Sequence, residues 1–179
     1  MSARAFSINV PFSVVALGHY RGELRRAIHA MKFRNRRWMT FAFGLHVAQA
    51  VQSHDHVWLP ELVTWAPTTP RRMRLRGHDQ SALLAAAVAR GLRVRRVRTL
   101  RRVDDRAQTG ASRRERLRGP QFVARCNAVR GRRVLLVDDV LTTGTTLQRA
   151  RTALCAAGAI EVRCAVIACV KVQVSSRVD

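Results

Sequence analysis

Lysine is nearly missing from this chain. Of its 33 basic residues only Lys32 and Lys171 are lysines, and only 11 acids oppose them. Genome base composition can exchange arginine for lysine, but it does not remove acids. The net charge of +22 therefore favours an anionic partner: nucleic acid, polyphosphate or a sugar phosphate. Long apolar runs are missing too. None reaches the roughly 18 residues that cross a bilayer, which excludes a transmembrane helix. The opening residues lack the compact apolar stretch and small-residue cleavage site of a secretory signal, so a cytoplasmic location is expected. No C-x-x-C pair occurs among Cys126, Cys155, Cys164 and Cys169, which argues against a zinc ribbon. Cys155, Cys164 and Cys169 stand among apolar residues and are expected to be buried thiols. The sequence also lacks a Gly-Lys-Ser/Thr, so there is no P-loop. Internal repeats and low-complexity linkers are absent. Aromatics are few where arginines are dense. From Arg90 to Arg133 there are 16 arginines against Asp104, Asp105 and Glu115, with Phe122 as the single aromatic, so platforms for base stacking are sparse.

What is present is enough for one globular domain: 179 residues, 47% hydrophobic, long enough to bury a core. Helical spacing places Leu24, Ile28 and Met31 on one face of a helix over Tyr20 to Met31. A second helix is expected over Thr40 to Gln52, burying Phe41, Leu45 and Ala48. Leu62 to Ala66 reads as a strand ended by Pro67, followed by a basic loop to Gly77. Asp79 is placed to cap the next helix, with Leu83, Leu84, Ala87 and Val88 inward and Gly91 at its end. Val94 to Leu100 is a weak strand. Arg101 to Gly119 is polar and without periodicity, which predicts a long mobile loop. His54 and His56 flank Asp55 in a polar stretch best read as a solvated loop. Glu23 and Glu61 read as surface acids.

The clearest pattern follows. Arg133 to Val137 is an apolar strand that runs into Asp138 and Asp139. A helix with Leu147, Ala150, Leu154 and Ala157 on one face ends at Gly158. Val162 to Val170 is apolar on both faces, as a central parallel strand would be. Strand, helix and strand in this order make a βαβ unit and an α/β sheet. The turn between the first strand and the helix carries Thr142, Thr143, Gly144, Thr145 and Thr146. A glycine lets the backbone turn tightly. Unpaired amides at a helix start, the positive end of the helix dipole and four hydroxyls then make an anion cradle sized for one phosphate. The acids at the strand's end would repel that phosphate. They suit a neutral polyol beside it, such as a ribose, or a Mg²⁺ near it. A capping cluster would account for one of the threonines and would leave the acids unexplained.

Residues Val134-Leu135-Leu136-Val137-Asp138-Asp139-Val140-Leu141-Thr142-Thr143-Gly144-Thr145-Thr146 resemble the signature of type I phosphoribosyltransferases, the loop that binds 5-phosphoribosyl-1-pyrophosphate (PRPP). Other pieces resemble one branch, the competence protein F (ComF) family. These are Tyr20-Arg21-Gly22-Glu23-Leu24-Arg25, Met31-Lys32-Phe33, Arg76-Gly77-His78-Asp79-Gln80, Gln108 and Arg113 to Arg116. The resemblance spans nearly the whole chain. Three departures stand out. The zinc module common at the start of the family is missing, His78-Asp79 replaces a common Phe-Asn, and Gly119 replaces a common Asn.

The resemblance implies a single α/β domain with a parallel sheet flanked by helices. Residues 1–55 would form a helical hood, 56–179 the core, and 101–119 a flexible lid. It implies that Asp138 and Asp139 hold the ribose hydroxyls and, indirectly, Mg²⁺. Thr142, Thr143, Gly144, Thr145 and Thr146 would take the 5′-phosphate, and Thr68 and Thr69 the pyrophosphate. Lid residues Arg102, Gln108, Arg113 and Arg116 would close over the ligand. One of Arg71, Arg72, Arg74 and Arg76 would neutralise the leaving pyrophosphate, Arg76 being favoured because it belongs to a matched piece. The implied activity is transfer of the phosphoribosyl group to a nitrogen acceptor in nucleotide metabolism. Hypoxanthine-guanine enzymes of the superfamily carry an Asp, as general base, where this chain has Thr142, which argues against a 6-oxopurine acceptor. A second reading, supported by the charge, is a competence protein of DNA uptake that binds single-stranded DNA and a partner of the uptake machinery, with PRPP as an effector.

Overall fold

Val134 to Val137 alternate between two cores, and this alternation organises the molecule. In the computed structural model, which describes residues 12–33, 37–103 and 120–170, Val134 and Leu136 join one buried cluster and Leu135 and Val137 the other. A strand presents successive side chains to opposite faces, so a strand apolar at every position must be covered on both. It lies in a five-stranded parallel sheet. Along the chain the elements are β1 (Val14–His19), α1 (Gly22–Phe33), α2 (Arg37–His54), β2 (Leu62–Trp65), α3 (Pro70–Arg76), α4 (Gln80–Leu92), β3 (Arg95–Arg96), β4 (Leu100–Val103), β5 (Gln121–Ala124), α5 (Cys126–Val129), β6 (Arg133–Leu141), α6 (Thr145–Ala156) and β7 (Glu161–Cys169). The sheet order is β1-β7-β6-β2-β3, and β4 and β5 form a separate antiparallel pair. Leu147, Ala150 and Leu154 of α6 cover one face. Ile28 and Met31 of α1, Val47 and Val51 of α2, and Leu84 and Val88 of α4 cover the other. This is the α/β fold expected from the sequence.

Neighbouring strands β2 and β6 send the chain to opposite faces: β2 leads to α4, β6 to α6. Open α/β sheets have their ligand crevice at such a point, beyond the carboxyl ends of the strands.

Several expectations need correction. The segment read as a helical hood contains β1, which pairs with β7 as an edge strand of the main sheet. The basic stretch before Gly77 is not all loop. Thr69 accepts from the Arg72 amide, Pro70 opens the helix and Gly77 closes it with a left-handed φ of 71°, so local capping makes α3. The inward face of α2 is also different. Ala48 is buried, but Phe41 and Leu45 are 44% and 39% exposed. Gly44 and Gly91 instead let α2 and α4 approach: a Cβ on Gly44 would stand 2.3 Å from the Ala87 Cβ, and one on Gly91 2.6 Å from that of Ala48. Gly91 is thus a contact residue inside α4, and Arg93 takes the left-handed cap at φ 57°. Leu83 is only partly buried, and Cys155 is exposed. The weak strand over Val94 to Leu100 is split between two-residue β3 and β4. The expected lid accordingly begins with strand: residues 101 to 103 belong to β4, and Gln108, Arg113 and Arg116 lie outside the described residues.

Candidate active site

The carboxyl end of β6 sets the site. Asp138 Oδ1 accepts from Ser81 Oγ at 2.8 Å and from the Asp139 amide at 2.8 Å. Asp139 Oδ2 lies 2.7 Å from Lys32 Nζ, both side chains mostly buried. Three elements therefore meet at the acidic pair: β6 brings the carboxylates, α4 the hydroxyl and α1 the ammonium. Burial, and next the charge of Asp139, push the Asp138 carboxyl up to about 7; the Ser81 and Asp139 bonds and the Lys32 charge pull the other way. Such a displaced carboxyl in a cleft is a candidate for a functional group.

Beyond Leu141 the chain turns through Thr142 and Thr143, both exposed, to Gly144, whose φ of 78° is left-handed. A side chain there would be strained. Gly144 is also the N-cap of α6 and has no side chain with which to cap it. The Thr145 amide reaches the Thr143 hydroxyl at 3.5 Å, and the Thr143 and Thr145 hydroxyls lie 3.1 Å apart.

Across the switch point the loop after β2 is held by Asp79. Its Oδ2 accepts from Trp65 Nε1 at 3.1 Å and from the Thr68 amide at 3.4 Å, while its Oδ1 caps α4 through the Ala82 amide at 3.4 Å. Behind Ser81, buried Gln80 donates through Nε2 to Thr40 and accepts through Oε1 from His78 Nε2 at 2.7 Å.

These parts enclose a cleft of about 340 Å³. Asp138, Asp139, Thr142 and Thr146 line one side and Ala66, Pro67, Thr68 and Arg72 the other; Tyr20, Lys32, Gln80, Ser81, Val140 and Arg102 complete it. The structure so brings together Asp138, Asp139, Thr142, Thr146, Thr68 and Arg102 of the residues expected from the sequence. Thr143, Gly144 and Thr145 form the adjoining turn, and Thr69 spends its hydroxyl on capping α3. Of the four candidate arginines of α3, Arg72 lines the cleft. The Arg76 side chain lies outside what is described. Sequence reasoning gave no role to Lys32, Tyr20, Gln80 or Ser81. Tyr20, Lys32 and Gln80 did stand in pieces that resemble the family, and Lys32 is one of only two lysines in the chain.

The acidic pair fits Mg²⁺ in one respect and limits it in another. Carboxylate oxygens are the donors this ion prefers, and it commonly takes one or two carboxylates plus substrate phosphates and water. Among the described residues no cluster of three acidic, histidine or cysteine side chains could cage a metal.

Residues 78–176 match the family model of the phosphoribosyl transferase domain. The chain is also 34% identical over 143 residues to Competence protein F of Haemophilus influenzae. The chain belongs to the phosphoribosyl transferase family. Its match to Competence protein F covers 75% of the chain and 62% of that protein. Among solved structures, the glutamine PRPP amidotransferase of B. subtilis, complexed with ADP and GMP, is similar at 27% identity and a TM-score of 0.51. That likeness covers 71% of this chain and 25% of the amidotransferase. Adenine phosphoribosyltransferase of Leishmania donovani shares the fold, at 12% identity and a TM-score of 0.53 over 90% of this chain and 85% of its own. Within this phosphoribosyl transferase fold the matched residues 78–176 include the acids, the threonine turn, Gln80 and Ser81. Tyr20, Lys32, Thr68 and Arg72 come from the preceding part.

Proposed function

We propose that the chain binds PRPP together with Mg²⁺ in this cleft and transfers the phosphoribosyl group to a nitrogen acceptor. The observation that carries the reading is that Asp138, Thr146 and Thr68, from three different segments, line one cleft at the sheet's switch point. The amides and hydroxyls of Thr142 to Thr146 are suited to the 5′-phosphate. Asp138 and Asp139 are suited to accept from the ribose hydroxyls and to hold Mg²⁺ shared with ligand oxygens. Thr68, Arg72 and Arg102, which line the cleft, are suited to the pyrophosphate, and Thr69, Arg76, Gln108, Arg113 and Arg116 belong to the same proposal. The match to the phosphoribosyl transferase domain and the likeness to a PRPP amidotransferase support it.

In the reaction the bond from ribose C1 to the pyrophosphate oxygen breaks and a bond from C1 to the acceptor nitrogen forms. The electron pair leaves with pyrophosphate. The chain's part is to hold the phosphate end, orient the ribose on the acids and offset the growing charge on the leaving group with Arg72 and Arg102. Asp138 and Asp139 are the residues that would hold Mg²⁺, which when bound would supply further charge stabilisation. A cytoplasmic setting and a place in nucleotide metabolism go with this reading.

One observation favours a second reading. Arg95, Arg96 and Arg98 at the sheet edge, Arg101 of β4 and Arg125, Arg130, Arg132 and Arg133 around α5 are all exposed. A catalytic site needs only a few arginines. This surface suits the phosphates of single-stranded DNA, with a competence component as partner and PRPP as effector. The test is pyrophosphate release from PRPP with Mg²⁺ and a panel of nucleobases and amines. Release that requires an added acceptor supports the transferase. PRPP binding without turnover on any acceptor, joined to salt-dependent DNA binding, supports the second reading.

A further inference from the structure

The acidic pair already has a cation. Lys32, on the last turn of α1, places its ammonium 2.7 Å from Asp139 Oδ2, with side-chain exposures of 16% and 14%. Lys32 and Lys171 are the only lysines among 33 basic residues, and one of the two stands against the acidic pair. Guanidinium is a planar fork suited to two oxygens, whereas ammonium is a point charge, the nearest side-chain equivalent of a metal ion. Among the described residues Asp138 accepts from the Ser81 hydroxyl and the Asp139 amide, both neutral. The ammonium is thus a full positive charge in direct contact with the pair. A divalent ion approaching Asp139 would meet this charge at short range in a mostly buried setting, where the repulsion is strong.

We propose that Lys32 is the built-in counter-cation of the acidic pair: it keeps Asp138 and Asp139 from taking a divalent ion by themselves, so that metal enters only with a phosphorylated ligand whose oxygens complete its coordination. The second half rests on the PRPP reading above; the first does not. Lys32 is thus a positioning residue that sets the order of binding.

Mn²⁺ shares the charge and oxygen preference of Mg²⁺ and is followed directly by electron paramagnetic resonance. The whole chain is titrated with Mn²⁺ in the absence of PRPP. Lys32→Met should bind one Mn²⁺ at least about tenfold more tightly than the unchanged protein. Lys32→Arg, which keeps the charge, should not, and Lys32→Met with Asp139→Asn should lose the gain. Circular dichroism checks folding, and Lys32→Gln is read in the same way should the methionine variant not fold. An unchanged Mn²⁺ affinity in the neutral variants, or a gain that survives Asp139→Asn, overturns the proposal. In a parallel arm PRPP is added to the unchanged protein and should tighten Mn²⁺ binding. A gain in Lys32→Met together with no PRPP effect would uphold the counter-cation and overturn ligand-dependent entry and the PRPP reading.

Discussion

The indole Nε1 of Trp65 donates a hydrogen bond to Asp79 Oδ2 at 3.1 Å, tying the end of β2 to the start of α4. The same oxygen accepts from the Thr68 amide at 3.4 Å. One carboxylate therefore fixes both the helix and the loop that faces the acidic pair. Asp79→Ala should lower unfolding free energy by about 2–3 kcal/mol, from the lost cap and two abandoned donors. It should also weaken pyrophosphate binding. Asp79→Asn should lose less, because one acceptor oxygen remains. Urea unfolding and calorimetry of the two variants check both statements.

Gly44 faces α4 so closely that an added methyl would stand 2.3 Å from the Ala87 Cβ and 3.1 Å from the Leu84 carbonyl oxygen. Helix propensity favours alanine over glycine by about 1 kcal/mol, and overpacking costs about 1–3 kcal/mol. Gly44→Ala should be net destabilising. An increase in melting temperature would show that the two helices can move apart without loss.

The raised Asp138 carboxyl gives stability a definite pH dependence. A carboxyl displaced from 3.8 to about 7 holds its proton more firmly folded than unfolded. Its stabilising share is present below pH 4 and is lost as the pH rises through 7. Asp138→Asn keeps an oxygen for Ser81 and the Asp139 amide and removes the charge. Its melting temperature should exceed that of the unchanged protein at pH 8, on the order of 5 °C, and the gap should close toward pH 4. A gap independent of pH would contradict the burial-driven shift.

Arg72 lines the cleft on the side of Thr68. Arg72→Ala should weaken pyrophosphate and PRPP about 10- to 100-fold, the range for hydrogen bonds to charged groups. Inorganic phosphate, for which the threonine turn is proposed, should bind as before. Equal loss for all three ligands would place Arg72 at the phosphate turn instead.

The βαβ unit and the threonine turn were legible because they are local: the run Val134 to Val137, the acids, Gly144 and the Leu147, Ala150 and Leu154 face all lie within one continuous stretch. Capping by Asp79 was legible for the same reason. Features set by distant packing were not. On the side of α2 that meets α4 the closeness of Gly44 to Ala87 decides which residues fit, and Phe41 and Leu45 stay largely exposed. Cys155 is on the outer side of α6, although its neighbours in sequence are apolar. Lys32 and Ser81 reach the acids from α1 and α4, and no spacing in the sequence relates them to Asp138 or Asp139. The choice of Arg72 required the short helix that Thr69 and Pro70 begin.

The most direct measurement is calorimetric titration with PRPP and Mg²⁺, and separately with inorganic phosphate, of the unchanged protein and of the double variant Asp138→Asn, Asp139→Asn. The account predicts that the unchanged protein binds PRPP in a Mg²⁺-dependent manner, and that the double variant loses most of that affinity while binding phosphate as before. Undiminished PRPP affinity in the double variant would contradict it.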